Sequence, residues 1–435
     1  MAVRNIAWSA VVLGLCAGPA SLKAQPAPAQ KERCSIHWSE PHPLRVGHNT
    51  VFVERAASVS LHGRAFFVGA RAFVYDSLGH PVQPLVPPGA RYIEAFDEVP
   101  MGAISNGHGG WTWVSEPPHA RSMPWYPEAV ADSAGFAHVV WASSDTVEQV
   151  SPPTAPSIWY ARFDGRHWSE PVHVAWGHHF YWTSSSVSQL LLVGRTLHFA
   201  VSTPGEGISY FRGSGGDWKV SVIGIDRTFT GYPSIALLPA GRIVLVIQGG
   251  SPSVNNGISS SVYATRSDDG GDTWSRPQLI SSAESEPAFD FQLLRSSTGR
   301  LHAVWFQQTD SLGHPARHPN LGNSPGRIQI AESSDGGVSW HMLTPTALLA
   351  NADGLQVLQT LNGALIATVA DRVAEQVLVT QWNGRWLPFG KIAASVDPFH
   401  PALGWGDAQR PILTWGSRRT HDWYTTWTST LTPCP

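Results

Sequence analysis

The sequence predicts an all-β fold, a β-propeller of seven four-stranded antiparallel blades, with six blades as the alternative. Three observations support this prediction. A strand–turn–strand unit recurs along the chain, and an outer hairpin that ends in a tryptophan follows most copies. Charged residues make up only 14% of a chain that holds 41 glycines, 34 prolines and 20 tryptophans. This composition suits many short strands and turns rather than long surface helices.

The repeated unit is an inner hairpin whose two arms are apolar. One copy has its arms at residues 236–238 and 243–246, and both arms are apolar and largely aliphatic. Such arms are expected of strands that are buried on both faces. The hairpin turns recur at seven places, which are Gly63-Arg64, Gly135-Phe136, Gly194-Arg195, Gly241-Arg242, Gly299-Arg300, Gly363-Ala364 and a weaker copy at Gln409-Arg410.

An outer hairpin follows the inner one, and its landmark is a tryptophan after a glycine-containing turn. The regular copies carry this residue at Trp168, Trp218, Trp274, Trp340 and Trp386. The first repeat is irregular, and two interpretations of its outer pair stay open. The pair is either residues 73–75 with residues 81–82, or it involves Trp111 and Trp113 after a long insertion.

The two ends of the chain are expected to complete one blade together. Residues 37–41 and residues 167–171 both read HWSEP, so the N-terminal segment has the sequence of an outermost strand. The last repeat has strands near Leu403 and Ile412 and a third at residues 424–430, but lacks a fourth. We expect the N-terminal segment to supply it, because an open ring would leave strand edges unpaired.

The N-terminal residues predict export. Arg4 precedes an apolar run at residues 6–16 and small residues at 17–24, as in a signal peptide. We expect a signal peptide at 1–24, a linker at 25–33 and a single propeller domain at 34–435. The protein would then be secreted or periplasmic and monomeric, without stable membrane insertion, because the apolar run is too short to span a bilayer. In an exported chain, Cys34 and Cys434 are expected to form a disulfide.

Two outer turns share the pattern S-x-D-x-G-x-[ST]-W, at residues 267–274 and 333–340. In such a turn the aspartate accepts hydrogen bonds from backbone N–H groups, the glycine allows positive φ, and the tryptophan closes the turn onto a hydrophobic layer. The residues in these roles are Asp269, Gly271, Trp274, Asp335, Gly337 and Trp340. The two turns resemble the Asp-box of sialidase-like β-propellers, also called the BNR repeat, in which this turn is structural.

The resemblance also implies where a site would lie. In a propeller, the loops that enter the innermost strands and those that leave the second strands gather on one face around the axis. Sialidases bind a sugar carboxylate there through three arginines and use a Tyr–Glu pair as nucleophile. Arginine forks match a carboxylate, and a glutamate beside a tyrosine can take its proton.

Carried over to this sequence, the resemblance implies one catalytic glutamate and several partners. Glu286 precedes an inner hairpin, as the family's glutamate does, and Tyr232 or Tyr181 is the candidate nucleophile. No aspartate is selected as the acid/base residue. The candidate substrate-binding residues are Arg121, Arg372, Arg418, Trp125 and Trp182.

Charge and spacing exclude other partners. A net charge of −3 without a long run of like charge does not support nucleic acid. His178 and His179 would point to opposite sides of a strand, and no partner stands at metal-ligand spacing, so no metal or cofactor is expected. The resemblance implies a secreted glycoside hydrolase for an acidic glycan. A non-catalytic propeller that binds glycan or protein, and a polysaccharide lyase with a His or Tyr base and an Arg, remain as alternatives.

Overall fold

Short apolar runs between glycine-containing turns form antiparallel strands throughout the computed structural model. Helical structure in the described residues is limited to two single turns of 3-10 helix, Pro239–Gly241 and Asp407–Gln409, each within an inner hairpin. The structure describes residues 37–46, 49–54, 57–69, 71–75, 101–108, 110–114, 117, 124–143, 157–176, 188–203, 207–223, 233–250, 260–281, 288–309, 324–394, 397–420 and 423–432.

The first strands along the chain are shared among several sheets. They are β1 (His37–Trp38), β2 (His42–Pro43), β3 (Arg45–Val46), β4 (Asn49–Glu54), β5 (Ala57–Leu61), β6 (Arg64–Gly69), β7 (Arg71–Tyr75), β8 (Met101–Ser105) and β9 (Trp111–Val114). Blade I consists of β5, β6, β8 and β9 in that order, and β3, β4 and β7 extend its outer edge. Blade I is therefore a regular four-stranded blade with an added three-stranded sheet.

Six further blades follow in chain order, each beginning with its innermost strand. Their strands are, in blade II, β10 (Pro124–Ala131), β11 (Ala137–Ser143), β12 (Ser157–Phe163) and β13 (Val172–Trp176); in blade III, β14 (Leu191–Val193), β15 (Thr196–Thr203), β16 (Gly207–Ser214) and β17 (Asp217–Ile223); in blade IV, β18 (Ser234–Leu237), β19 (Ile243–Gly250), β20 (Ser260–Ser267) and β21 (Gln278–Leu279); in blade V, β22 (Ala288–Arg295), β23 (Leu301–Gln308), β24 (Ser324–Ser333) and β25 (His341–Met342); in blade VI, β26 (Leu349–Gln359), β27 (Leu365–Asp371), β28 (Gln376–Trp382) and β29 (Gly390–Ala394); and in blade VII, β30 (Pro398–Trp405), β31 (Pro411–Thr420) and β32 (Trp423–Thr432).

The predicted ring of seven blades is confirmed, with one inner hairpin at each of the seven expected turns. Blades V and VI are joined in addition, because Ser324 pairs with Ala352 and Gly326 with Leu349. The outer pair of blade I is β8 and β9, and both Trp111 and Trp113 lie in β9. Residues 73–75 lie instead in β7, which pairs with β4.

The N-terminal segment closes the ring, as expected. In β1, His37 pairs with Thr432 and Trp38 with Leu431 of the last strand. In β2, His42 pairs with Thr428. Blade VII therefore receives its outermost strand from the beginning of the chain. Residues 1–36 and 433–435 lie outside the described residues, so the signal peptide at 1–24, the linker at 25–33 and the Cys34–Cys434 disulfide stay predictions.

The core is divided into wedges between neighbouring blades. Each wedge takes apolar side chains from the facing surfaces of two blades; between blades III and IV, for example, Tyr210 and Leu245 belong to the same cluster. The outer tryptophans close these wedges near the rim. Trp274 lies 5.4 Å from Tyr210 of the preceding blade, and Trp218 lies 5.5 Å from Tyr160, centroid to centroid. These tryptophans therefore hold each blade against the blade before it.

The two S-x-D-x-G-x-[ST]-W turns are built by the aspartate side chain. Asp269 Oδ1 accepts hydrogen bonds from the Thr273 N–H (2.9 Å) and the Ser267 hydroxyl (2.7 Å), and Oδ2 accepts one from the Thr273 hydroxyl (2.5 Å). These bonds, foremost those from Thr273, lower the pKa of Asp269 well below its ordinary value. For Asp335, partial burial acts to raise the pKa, but hydrogen bonds led by the one from the Ser339 hydroxyl together lower it to about 2.

Candidate functional site

The ring has two faces, which we call the turn face and the axial face, and different loops lie at each. At the turn face lie the inner hairpin turns and the outer turns, including those of Asp269 and Asp335. At the axial face the chain enters each innermost strand and leaves each second strand. Most of the connecting segments at the axial face lie outside the described residues. Among them are five of the predicted site residues, namely Arg121, Tyr181, Trp182, Tyr232 and Glu286.

Five successive blades carry a polar residue at the same level of their first strand, at or near its axial end. The level is defined by the pairing of the inner hairpin. Val130 pairs with His138 in blade II, and Leu294 pairs with His302 at the equivalent place in blade V. The polar residue stands two positions before Val130, before Leu294 and before their equivalents in the other blades. We call these residues the inner ring. It consists of Glu128 in blade II, Gln189 in blade III, Ser234 in blade IV, Gln292 in blade V and Gln356 in blade VI.

Four members of the inner ring join their blades by hydrogen bonds. The Gln189 amide donates to Ile235 O (2.8 Å) and Leu293 O (3.1 Å), and Ser234 Oγ donates to Gln189 Oε1 (2.9 Å). Ser234 Oγ also accepts from the Leu293 N–H (2.7 Å). First strands of adjacent blades do not pair as a sheet, so these side chains satisfy backbone groups of the blades that follow in the ring.

The same arrangement continues one blade further. Gln292 Oε1 accepts from the Val357 N–H (2.6 Å), and Gln292 Nε2 donates to Gln356 Oε1 (2.8 Å). Blades III to VI are therefore held together near the axis by neutral side chains. Sequence reasoning missed this set, although an alignment of the inner hairpins would have shown the recurring polar position.

Glu128 is the exception in the inner ring. Its side chain is half-buried, and it makes no hydrogen bond or ion pair with the described residues. Burial raises the pKa of its carboxyl group to about 8. A carboxylic acid that stays protonated near neutral pH is a common feature of functional sites. Glu128 was also absent from the residues selected by sequence.

β-Bulges bend the first strands beside the inner ring. The register shifts between Trp125 and Glu128 in β10 and between Phe289 and Gln292 in β22. Equivalent shifts occur in β26 and β30. Within the β22 bulge, Asp290 has a φ of 53° and its Oδ2 accepts a hydrogen bond from the Leu355 N–H (3.0 Å). A bulge re-aims the side chains around it, which is why bulges often stand next to active sites.

Of the predicted arginines, Arg372 is the one whose side chain is described. It follows the end of β27 at the axial face, and its Nε lies 2.7 Å from Asp397 Oδ1, at the start of blade VII. The two side chains are 33% and 31% exposed, so this ion pair bridges two blades at the surface. Its role as a carboxylate ligand stays a prediction. For Arg418 and Trp125 only the backbone is described, paired with Tyr424 and Ala142 respectively.

Two His–Tyr pairs with buried tyrosines lie on the turn-face half of the blades. His138 Nδ1 lies 2.7 Å from Tyr160 Oη, and its Nε2 lies 3.2 Å from Asp132. At the equivalent place in the next blade, His198 Nδ1 lies 2.6 Å from Tyr210 Oη. Burial lowers the pKa of both histidines, that of His198 to about 4. Because the pair is repeated and packs beneath the outer tryptophans, we interpret it as structural.

Other candidate sites are limited. A shallow groove of about 410 Å³ lies on the turn face between blades IV and V, lined by Arg242, Asp268 and Asp335 among others. Its charged groups already bind one another, since Arg242 Nε lies 2.5 Å from Asp268. Within the described part of the chain, no cluster of His, Cys, Asp and Glu has the form of a metal site. None of its helices has the length and apolarity needed to cross a membrane.

Comparisons with known proteins support the fold. No protein-family model matches the sequence, and no curated protein matches it at a significant level. Among solved structures, an ulvan lyase, a polysaccharide lyase bound to -[GlcA(1-4)Rha3S]-, has a TM-score of 0.54 and 11% identity over 90% of this chain and 95% of that chain. The α-L-arabinanase of Penicillium chrysogenum, complexed with arabinobiose, has a TM-score of 0.46 and 14% identity over 91% of this chain and 96% of that chain.

A sialidase is also among the similar structures. The Trypanosoma rangeli sialidase in complex with the inhibitor DANA has a TM-score of 0.42 and 12% identity over 72% of this chain and 57% of that chain. The β-propeller fold follows from the ring of blades itself, and the similarity to the ulvan lyase agrees with it. Identities this low show the fold alone, and the assignment of the two aspartate turns to the BNR repeat stays a prediction.

Proposed function

We propose that this protein is a secreted propeller that degrades a carboxylated glycan at its axial face by glycoside hydrolysis. The observation that carries the proposal is the axial end of blade II, where the bulged first strand presents the half-buried Glu128 without a hydrogen-bond partner among the described residues. A protonated acid offers a hydrogen bond without repelling an anionic sugar. The fold shared with ulvan lyase is consistent with this substrate class as an analogy.

In this proposal the reacting groups are those that the sialidase resemblance implies. Glu286 would take the proton of Tyr232 or Tyr181, and the tyrosine oxygen would bond to the anomeric carbon as the glycosidic bond to the leaving alcohol breaks. The leaving oxygen would take up a proton from solvent, and water would then hydrolyse the tyrosyl–sugar bond. Arg121, Arg372 and Arg418 would bind the sugar carboxylate, while Trp125 and Trp182 would pack against the ring faces. The ion pair with Asp397 supports a defined orientation for Arg372.

A polysaccharide lyase is the second candidate. The observation that favours it is the similarity to ulvan lyase, which extends over 90% of this chain. A lyase needs a base near the carbon next to a uronate carboxylate. The His138–Tyr160 and His198–Tyr210 pairs do not supply it, because both are buried on the turn-face half of the blades.

A substrate panel tests the proposal and separates the candidates. The panel contains fluorogenic sialosides, other fluorogenic glycosides, and uronate polysaccharides including ulvan. Hydrolysis releases reducing ends without new ultraviolet absorbance, whereas a lyase produces an unsaturated uronate that absorbs. We expect hydrolysis of at least one carboxylated glycan. Binding without turnover across the panel would contradict the proposal and leave the non-catalytic binding module.

The Glu286→Gln variant tests the assigned catalytic group. We expect turnover to be lost while the melting temperature stays close to that of the parent, because the amide keeps the size of the side chain but cannot take a proton. Glu40→Gln, a change at an exposed position, serves as the control and should keep full activity. A large fall in melting temperature for Glu286→Gln would assign this residue a structural role instead.

A further inference from the structure

Glu128 differs from the other members of the inner ring because its side chain is an acid and because it lacks their inter-blade contacts. Gln292, at the same level of blade V, accepts a hydrogen bond from the Val357 N–H of the next blade. Ser234 accepts the equivalent bond from the Leu293 N–H. For Glu128 the equivalent partner would be the N–H of Leu190 in blade III, which follows Gln189 as Leu293 follows Gln292. Glu128, however, makes no hydrogen bond with the described residues. The side chain of Glu128 therefore does not serve as an inter-blade link.

The direction of the side chain follows from strand alternation. Val130, two positions after Glu128, packs in the wedge between blades II and III together with Leu190. Residues two apart lie on the same face of a strand, so Glu128 also faces blade III, on the axial side of that wedge. The bulge between Trp125 and Glu128 adjoins it on the axial side.

No described charge stabilises the ionised form of this carboxyl group. Glu128 pairs with Val140 of β11. The equivalent first-strand positions of the two adjacent blades are Gln189 in blade III and Ala57 in blade I, and none of these three side chains titrates. The titratable groups described at or beside this level of blade II are Tyr160, His138 and Asp132, and they bind one another: His138 lies 2.7 Å from Tyr160 Oη and 3.2 Å from Asp132. Burial is accordingly the cause that raises the pKa of Glu128 to about 8.

We propose that Glu128 is a ligand-binding residue of the axial site, whose protonated carboxyl group donates a hydrogen bond to an oxygen atom of a carboxylated glycan. This inference rests on the proposed function and adds a residue that the sialidase resemblance does not provide. A neutral donor suits an anionic ligand, whereas an ionised carboxylate in a half-buried position would repel it. An unlinked acid in place of a structural amide is the feature that sets blade II apart.

Binding measured against pH tests the inference. Wild type, Glu128→Gln and Glu128→Leu are titrated calorimetrically with ulvan and with sialyllactose between pH 6 and pH 10. We expect wild-type affinity to fall by about tenfold per pH unit above about pH 8, because the donor proton is lost. Glu128→Gln keeps a donor at every pH and should lack this fall. Glu128→Leu should bind weakly throughout the range.

A matched control and the protein's stability complete the test. Glu332→Gln removes a carboxylate that is bound by Arg300 and His302 on the turn-face half, and it should keep the wild-type pH profile of binding. The melting temperature of Glu128→Gln should exceed that of wild type at pH 8 and match it near pH 4.5, because only wild type must bury an acid that ionises on unfolding.

Two outcomes would overturn separate claims. If wild type binds a glycan but Glu128→Gln shows the same decline above pH 8, Glu128 is not the donor and the inference fails, while the proposed function stands. If wild type binds neither ulvan nor sialyllactose and turns over no glycan of the panel, the proposed function fails and takes the inference with it.

Discussion

Gly271 shows how one residue joins two blades. Its φ is 99°, in the region that favours glycine, and a Cβ atom there would lie 2.2 Å from the ring of Tyr210 in blade III. The glycine is therefore required twice, by the backbone of the turn and by the side chain packed against it. The motif predicts the first requirement, but only the structure shows the second.

Replacing Gly271 with alanine should destabilise the protein more than the same change at Gly384. Gly384 has a similar φ of 95°, but a Cβ atom there meets nothing within 4 Å. Both substitutions therefore introduce similar backbone strain. The difference between their losses of unfolding free energy measures the clash of the new Cβ atom with Tyr210. We expect Gly271→Ala to lose about 1–3 kcal/mol more free energy of unfolding than Gly384→Ala, measured by urea titration. Equal losses would contradict the contact.

His198 should make the protein less stable at low pH. Burial, assisted by the positive charge of Arg212, lowers its pKa to about 4, below the ordinary value of 6.5. Between these two pH values the unfolded chain binds a proton that the folded protein does not, so stability falls as the pH falls. His198→Gln should reduce this loss by about 1–3 kcal/mol between pH 6.5 and pH 4.

The exposed His167, in an outer turn of blade II, provides the control for that experiment. His167→Gln should follow the wild-type curve of unfolding free energy against pH. If His198→Gln follows the wild-type curve as well, the buried His198–Tyr210 pair does not hold a neutral imidazole. The pH dependence would then arise elsewhere in the protein.

At the scale of elements, β1 and β2 are short but decide whether the ring is closed. The N–H of Ser39 donates to Thr430 O (2.8 Å), and the N–H of Leu44 donates to Thr426 O (2.7 Å). Trp38 packs with Trp415 in the wedge between blades VI and VII. Without these strands the edge of β32 would be unpaired, and an exposed edge invites association with other chains.

Two shortened chains test this closure. A chain that begins at residue 36 keeps β1 and β2, whereas a chain that begins at residue 45 lacks both but keeps β3, and neither contains Cys34. We expect the first chain to melt cooperatively as a monomer. The second should melt at a lower temperature and aggregate, as seen by light scattering during heating. Equal behaviour of the two chains would show that the N-terminal strand is dispensable.

The elements also show why blade I was ambiguous in sequence. Residues 73–75 form a good strand, and the pattern alone does not say which partner it takes. The structure pairs them with β4 and leaves the outer positions of blade I to β8 and β9. Strand propensity is local, but the choice of partner depends on which edges the rest of the ring leaves open.

At the scale of the whole molecule, we predict a disulfide between Cys34 and Cys434. The pairing of His37 with Thr432 places the described ends of the chain side by side, three residues after the first cysteine and two before the second. Mass spectrometry of an unreduced digest should find the linked peptide. Cys34→Ser should lose about 2–4 kcal/mol of unfolding free energy. Two free thiols at Cys34 and Cys434 in the protein purified without reductant would contradict the prediction.

The fold prediction is confirmed, whereas the predicted site residues stay predictions. The sialidase resemblance points to residues of the axial connections, such as Glu286 and Tyr232, which lie outside the described residues. The inner ring, in contrast, was missed, because its polar residue changes from blade to blade and is recognised only when the inner hairpins are aligned. The structural role of these residues is shown only by the hydrogen bonds through which Gln189, Ser234 and Gln292 link successive blades.

The sequence by itself determined the class of fold, the number of inner hairpins and the closure of the ring by the N-terminal segment. Those features follow from short-range patterns that repeat, and each repeat is evidence for the others. The tertiary structure alone decided which polar side chains meet near the axis and that Glu128 stays without a described partner. The reason is that contacts between blades join residues about 60 positions apart, as Gln292 and Gln356 are, and burial and pKa depend on those contacts rather than on local sequence.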